Sequence, residues 1–225
     1  MIPILLFLLT TTGADAIVAK HIAARGGEAK FAAIKGMRVE GRIKFGNGPF
    51  TPFTMLAARP TMFRMELSLN GAPMVQGYDG RTPWETGGTL SEQMKTQIKD
   101  QAIGAIGGPL VDYRQRGIKV DLASDKAKWK THPAIQLKVT LPTGTVMQIY
   151  LSPTTYLEIG EELFVKLNGQ DVVLEEDVGG NQRYGGVLFP TIFTSNIRGQ
   201  TSGQRLELQK IEINPKIDES LFRPK

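Results

Sequence analysis

From Met37 onward, apolar and polar side chains alternate with a period of two. In MRVEGRIKF, Met37, Val39, Gly41, Ile43 and Phe45 share one phase while Arg38, Glu40, Arg42 and Lys44 take the other, which predicts a half-buried strand. Residues 51–58 read as the return strand after the turn Gly46-Asn47-Gly48, and Arg59-Pro60 ends it. The alternation resumes in TMFRMELSL, where Phe63, Met65, Leu67 and Leu69 oppose Arg64, Glu66 and Ser68. Asn70-Gly71 is a strong tight-hairpin signal, because the favoured turn needs positive φ at its central residues. A strand ending near Tyr78, a turn at Asp79-Gly80 and a short strand carrying Trp84 complete a meander.

The second half repeats the pattern. In AIQLKVTL, Ile135, Leu137, Val139 and Leu141 share a face, and TVMQIYL follows the Pro142–Gly144 turn. TYLEIGEELFVKLNG and DVVLEEDVG pair around Asn168-Gly169. VLFPTIFTSNI and QRLELQKIEIN are the last long strands. Leu206 and Leu208 lie in one phase and Ile211 and Ile213 in the other, so a bulge is expected near Gln209 or Lys210. About eleven strands at short spacing, without strand-helix alternation, predict a single curved antiparallel sheet. Nearly every strand has a polar side, so one face of the sheet can be wet and the other needs a cover.

Only two helical segments are available as that cover. DAIVAKHIAARGG reads as a helix that Asp15 can cap and Gly26-Gly27 ends, and EAKFAAIKG adds a turn or two before Gly36. In residues 89–117, Thr89 and Glu92 have capping-box spacing, and Met94, Ile98, Ala102, Ile106 and Leu110 recur every four residues. That stripe drifts around one straight helix, and Gly104, Gly107, Gly108 and Pro109 break it. The expectation is a helical hairpin: one helix, a small-residue hinge, and a second short helix from Pro109 to about Arg116.

Composition narrows the class. A chain of 225 residues with 41% hydrophobic content can build one sizeable core, and no linker-like shift divides it. The net charge of +5 is spread without a block of like charges, so no nucleic-acid partner is expected. Without cysteine there are no disulfides, thiolate metal sites or thiol nucleophiles. Ile2 to Leu9 is an apolar run, too short for the roughly 20 residues that span a bilayer. It is followed by Ala14-Asp15-Ala16, which has the small-x-small form of a signal-peptidase site. Residues 1–16 are read as a signal peptide, cleaved after Ala14 or Ala16, and 17–225 as one domain. The alternative is a buried N-terminal strand.

No catalytic set emerges. His21 and His132 lie in different elements, the first at a helix-sheet contact and the second in an exposed loop before Pro133. No metalloprotease helix, nucleophile elbow or phosphate loop occurs, and no enzyme activity, cofactor or metal is expected. Glu161-Glu162 and Glu175-Glu176-Asp177 read as a solvated sheet edge, since adjacent strand residues point to opposite faces. Eight methionines and ten phenylalanines supply soft apolar surface, suited either to an ordinary core or to lining for flexible acyl chains.

The succession AKHIAARGGEAKFAAIKGMRVEGRI, ARPTMFRMEL, VQGYDGRTPW, GGPLVDYRQRGIKVDL, GVLFPTIF and DESLF resembles bacterial proteins of the LolA-like outer-membrane lipoprotein-sorting superfamily. The resemblance covers nearly the whole mature chain and implies a periplasmic protein of a Gram-negative-type envelope. It also implies an incomplete antiparallel β-barrel with helices across the open side, and shelter for acyl chains between the two. The expected cavity is lined by Val39, Phe45, Phe63, Met65, Leu67, Trp84, Leu137, Val139, Ile149 and Leu151. It is closed by Met94, Ile98, Ile103 and Ile106, with Gly104, Gly107 and Gly108 as the lid hinge. The expected partners are an acylated ligand, a lipoprotein or lipid, and a transient membrane or membrane-protein contact, for a monomer. The rival reading is an envelope interaction or sensor module with a filled core.

Overall fold

Among the described residues, two helices precede the first strand, α1 (Gly13–Ala24) and α2 (Glu28–Ala32). Gly26 and Gly27 separate them, with φ of 128° and 93° that residues carrying a Cβ rarely adopt. The computed structural model describes residues 13–69, 71–167 and 169–224. The apolar run expected as a leader lies outside the described residues. Asp15 sits in the first turn of α1, where it accepts from the Tyr113 hydroxyl and pairs with Arg114 at 2.5 Å.

The strands of the first half are β1 (Gly36–Phe45), β2 (Thr51–Ala58), β3 (Met62–Leu69), β4 (Ala72–Tyr78) and β5 (Pro83–Glu85), followed by α3 (Glu92–Gly104). The second half holds β6 (Lys119–Trp129), β7 (His132–Thr140), β8 (Val146–Leu151), β9 (Glu158–Leu167) and β10 (Gln170–Gly179). It closes with β11 (Gln182–Tyr184), β12 (Val187–Phe189), β13 (Ile192–Ile197), β14 (Gln204–Ile213) and a 3-10 turn at Glu219–Phe222. Among the described residues, one antiparallel sheet of twelve strands has the order β5-β4-β3-β2-β1-β14-β13-β10-β9-β8-β7-β6. Its two end strands do not pair with each other, so the barrel stays open. The expected bulge is present: Glu40 pairs with Lys210 and Gly41 with Leu208, leaving Gln209 as the extra residue.

Three features depart from the sequence reading. The second arm of the lid is not a helix; residues 105–107 and 109–117 form turns. Gly107, Gly108 and Asp112 hold φ of 81°, 88° and 51°, and such left-handed residues cannot continue a helix. The first arm starts two residues later than the Thr89 box, with Ser91 as N-cap accepting from the Met94 amide at 3.2 Å. The segment read as one strand from Val187 to Ile197 breaks at Pro190, which has no amide hydrogen for the ladder. Its first piece pairs with β11 as a separate hairpin.

That hairpin is a third covering element. Leu188 accepts from Arg25 Nε at 3.0 Å and its amide donates to the Arg25 carbonyl at 2.8 Å, while Phe189 meets Phe31 edge to face. One apolar core runs under the covers, from Leu67 on β3 through Val39 on β1 to Leu137 on β7. Three aromatic rings also lie against glycine backbone, two of them on the paired strand and the third two strands further across the sheet. They are Phe53 over Gly41, Trp84 over Gly77 and Trp129 over Gly160, packing that lets the sheet bend closely around each ring.

Candidate functional site

Strand register decides which side chains share the concave face, because residues directly opposite one another point the same way. Val39 faces Met55, Met55 faces Met65, and Leu67 faces Met74. On the other side of β1, Gly41 faces Leu208 and Ile43 faces Leu206, which in turn faces Phe193. Leu174 faces both Ile197 and Leu163. Met55, Met65, Met74, Leu163, Leu174, Phe193, Leu206 and Leu208 are all half-buried. Together they form an apolar stripe along the concave face that the covers leave partly open.

The expected cavity residues divide into four groups. Val39, Leu67, Leu137, Val139, Ile149 and Leu151 stand on the concave face in the main core, with Ile106 from the cover. They are packed rather than open, since Val39, Leu137, Val139, Ile149 and Leu151 are 0% exposed. Phe63 and Ile98 join a smaller cluster with Leu90 and Ala102 that seats α3 on β3, while Met65 and Ile103 are half-buried at the margins. Phe45 and Met94, 49% and 36% exposed, lie at the periphery. Trp84 is on the opposite face: it pairs with Gly77, out of phase with Tyr78, and its indole donates to the Phe222 carbonyl at 2.7 Å. The register partners Met55, Met74, Leu206 and Leu208 were absent from the expected set.

The cover is fastened by polar contacts. Arg25, buried at the end of α1, donates from Nη1 to the Gly107 carbonyl at 2.7 Å and meets His21 Nε2 at 3.2 Å. His21 Nδ1 lies 2.8 Å from the Tyr156 carbonyl, which makes it the donor and leaves Nε2 to accept from Arg25. Burial and the Arg25 charge lower His21 to about 3, so the ring is neutral. Arg116 donates to the carbonyls of Ile103, Gly108 and Val111 and ties the turns together. The proposed hinge glycines thus carry two of the clamped carbonyls. Asp100 on α3 accepts from the Thr143 and Thr145 hydroxyls, both at 2.6 Å, reaching from one end of the sheet to the turn after β7.

The acidic residues are not a sheet edge, because β9 and β10 lie inside the sheet. Glu176 stands opposite both Glu161 and Ser195, and Glu158 stands opposite Leu151, so all three glutamates face the concave side. Glu162, Glu175 and Asp177 point outward, where Arg198 bridges the first two at 2.5 Å each. Each inward glutamate is crowded by protein yet half-buried. Burial pushes Glu158 up to about 7, against the opposing pull of Arg25. Burial and the neighbouring carboxylates raise Glu161 well above the ordinary range, and burial raises Glu176.

A separate cleft of about 810 Å³ lies between α1, α2 and residues 110–115. Its apolar wall is Val18, Ile22, Phe31, Leu110 and Val111, and Asp15, Glu28 and Arg114 stand around it. It falls within the usual ligand-pocket range of about 300–1,000 Å³. Among the described residues no group of three or more His, Cys, Asp or Glu is arranged to hold a metal ion.

No family model and no curated protein matches the chain. Solved structures do. A LolA superfamily protein from Nitrosomonas europaea matches 94% of this chain and 97% of its own, at 11% identity and a TM-score of 0.62. A DUF1329 family protein from Desulfovibrio piger matches 95% and 98%, at 10% identity and a TM-score of 0.56. A domain assigned to outer membrane lipoprotein sorting from Vibrio parahaemolyticus matches 92% and 94%, at 9% identity and a TM-score of 0.56. With its open twelve-stranded sheet and partial cover, the chain has a LolA-like fold.

Proposed function

We propose that the protein is a periplasmic carrier or binding protein for an acylated ligand, a lipoprotein or a lipid, held along the concave face of the sheet. The observation that supports this reading is the apolar stripe from Met74 to Leu163, which borders the packed core on the concave face and stays only half-buried. Contiguous apolar surface left partly exposed is what a ligand site is built from. Methionines at Met55, Met65 and Met74 suit a chain with many rotamers. A dozen buried methylenes at about 0.8 kcal/mol each contribute on the order of 10 kcal/mol before ordering costs. That is enough for reversible shuttling without covalent chemistry, with the cover yielding at Gly104, Gly107 and Gly108. Of the two candidate processing positions, the one after Ala14 keeps Asp15 and its bonds to Tyr113 and Arg114 in the mature protein.

The fold of the lipoprotein-sorting domain from Vibrio parahaemolyticus supports this reading. The competing reading, an interaction or sensor module without cargo, is favoured by the complete burial of Leu137, Ile149 and Leu151 beneath the covers. Native mass spectrometry of protein purified from membranes separates the two. Co-purified lipid, with a rise in melting temperature on adding lipid, supports the carrier; a protein that is always empty and gains no thermal stability supports the module.

A further inference from the structure

Two hairpin tips meet at one end of the sheet. Phe45 ends β1 directly opposite Gln204 at the start of β14, and the Gly46 amide donates to the Gly203 carbonyl at 2.6 Å. The β1–β2 and β13–β14 turns therefore form one continuous rim. The sequence around them is free of acid: residues 41–65 and 178–206 contain no Asp or Glu.

Cations crowd the convex side of that rim. Lys44 stands directly opposite Arg205, and Arg42 directly opposite Glu207. The Glu207 carboxylate accepts from Nε of Arg42 and Nε of Arg205, both at 2.8 Å, so three cations share one acid. Like charges placed directly opposite cost a sheet stability, and two positive charges stay uncompensated here. Arg198, from the β13–β14 turn, is already held by Glu162 and Glu175. Phe50 lies against the same cations, its ring centroid 4.2 Å from the Arg42 guanidinium carbon and 5.4 Å from Lys44 Nζ. Phe45 shares the concave phase of Val39 and Ile43 and is 49% exposed, the highest value for a large apolar side chain among the described residues. It carries the row of Leu208 and Leu206, which face Gly41 and Ile43, out to the rim.

We propose that this rim docks on an anionic phospholipid bilayer, with Phe45 entering the headgroup layer while Lys44 and Arg205 meet lipid phosphates. A bilayer matches both halves of the rim, because it presents a plane of negative charge with apolar depth directly beneath. An acidic protein surface would meet the cations and leave Phe45 in water. Two uncompensated cations at such a membrane surface are worth about 30-fold in affinity, and withdrawing a half-exposed phenyl ring from water adds about tenfold. Docking needs no cargo in the trough, so it stands or falls separately from the carrier reading.

Vesicle sedimentation with ligand-free protein is the test. The parent is expected to bind vesicles of phosphatidylcholine mixed with phosphatidylglycerol, to bind phosphatidylcholine alone far more weakly, and to be released as salt shortens the screening length from about 10 to about 3 Å. Lys44→Gln with Arg205→Gln weakens binding about 30-fold, and Phe45→Ser weakens it about tenfold. Lys126→Gln with Lys128→Gln removes the same charge from exposed positions on the edge strand β6 and leaves binding unchanged. In Phe45→Trp the added indole is quenched by brominated lipid in the bound vesicles. Failure of the parent to bind the mixed vesicles overturns the proposal without any variant being needed. An equal loss in the β6 pair also overturns it, since that result marks attraction by net charge alone. Binding of poly-glutamate through Lys44 and Arg205, with vesicles ignored, assigns the rim to an acidic protein and is equally contrary.

Discussion

Arg25 Nη1 and the Gly107 carbonyl, 82 positions apart, meet at 2.7 Å and join the first helix to the turns of the cover. The same guanidinium serves Leu188 through Nε, so one buried side chain ties three elements together. Arg25→Ala leaves two carbonyls without a donor, at about 1–3 kcal/mol each. Urea unfolding is expected to show a loss of about 2–6 kcal/mol. Arg25→Lys recovers only part of it, because an ammonium lacks the planar fork that serves both carbonyls.

Trp129 covers Gly160 so closely that a Cβ there meets its ring at 2.0 Å. Gly160→Ala is expected to cost about 1–3 kcal/mol or more, the range for overpacked sites. A Cβ at Gly179 meets nothing within 4 Å, so Gly179→Ala stays within about 0.5 kcal/mol of the parent. Thermal melts of the two variants check the contrast.

The period of two made most strands readable, and the phase change from Leu208 to Ile211 placed the bulge near Gln209 or Lys210, of which the register selects Gln209. What local pattern does not carry is handedness and facing. Gly107, Gly108 and Asp112 turn left-handed and dissolve the second arm of the lid, although Ile106 and Leu110 keep helical spacing. Trp84 sits in a strand of three residues, too short for alternation to reveal its face. The acidic patch was legible in part: Val172, Leu174, Glu176 and Val178 share a phase, which places a charge among apolar partners. Glu158 was not, because the irregularity between Tyr150 and Leu151 shifts it onto the concave side.

Asp100 binds the hydroxyls of Thr143 and Thr145, and α3 otherwise rests on the opposite end of the sheet. Asp100→Ala is expected to speed amide exchange across Glu92–Gly104 by about tenfold or more, at about 1.5–3 kcal/mol per charged hydrogen bond. Exchange in β7 and β8 stays unchanged. Thr143→Val combined with Thr145→Val reproduces the effect, and adding it to Asp100→Ala brings no further increase.

His21 titrates at about 3 in the folded chain against an ordinary 6.5. The unfolded chain therefore takes up its proton first as pH falls. The stabilisation from neutral His21 is complete above pH 6.5 and is lost toward pH 3, with a slope of at most about 1.4 kcal/mol per unit. The inward glutamates act in the opposite direction, so the test is the difference between parent and His21→Asn. That difference is expected to be largest at neutral pH and to shrink on acidification; a constant difference contradicts a neutral buried ring.

Acyl-chain binding along the stripe of Met65 and Leu206 is tested most directly by equilibrium titration with a fluorescent long-chain fatty acid. The expected result is saturable binding at about micromolar Kd or tighter. Met65→Gln and Leu206→Gln should each weaken it about tenfold, equivalent to about 1.4 kcal/mol, without changing the melting temperature by more than a few degrees. No saturable binding, or equal binding by parent and both variants, contradicts the account.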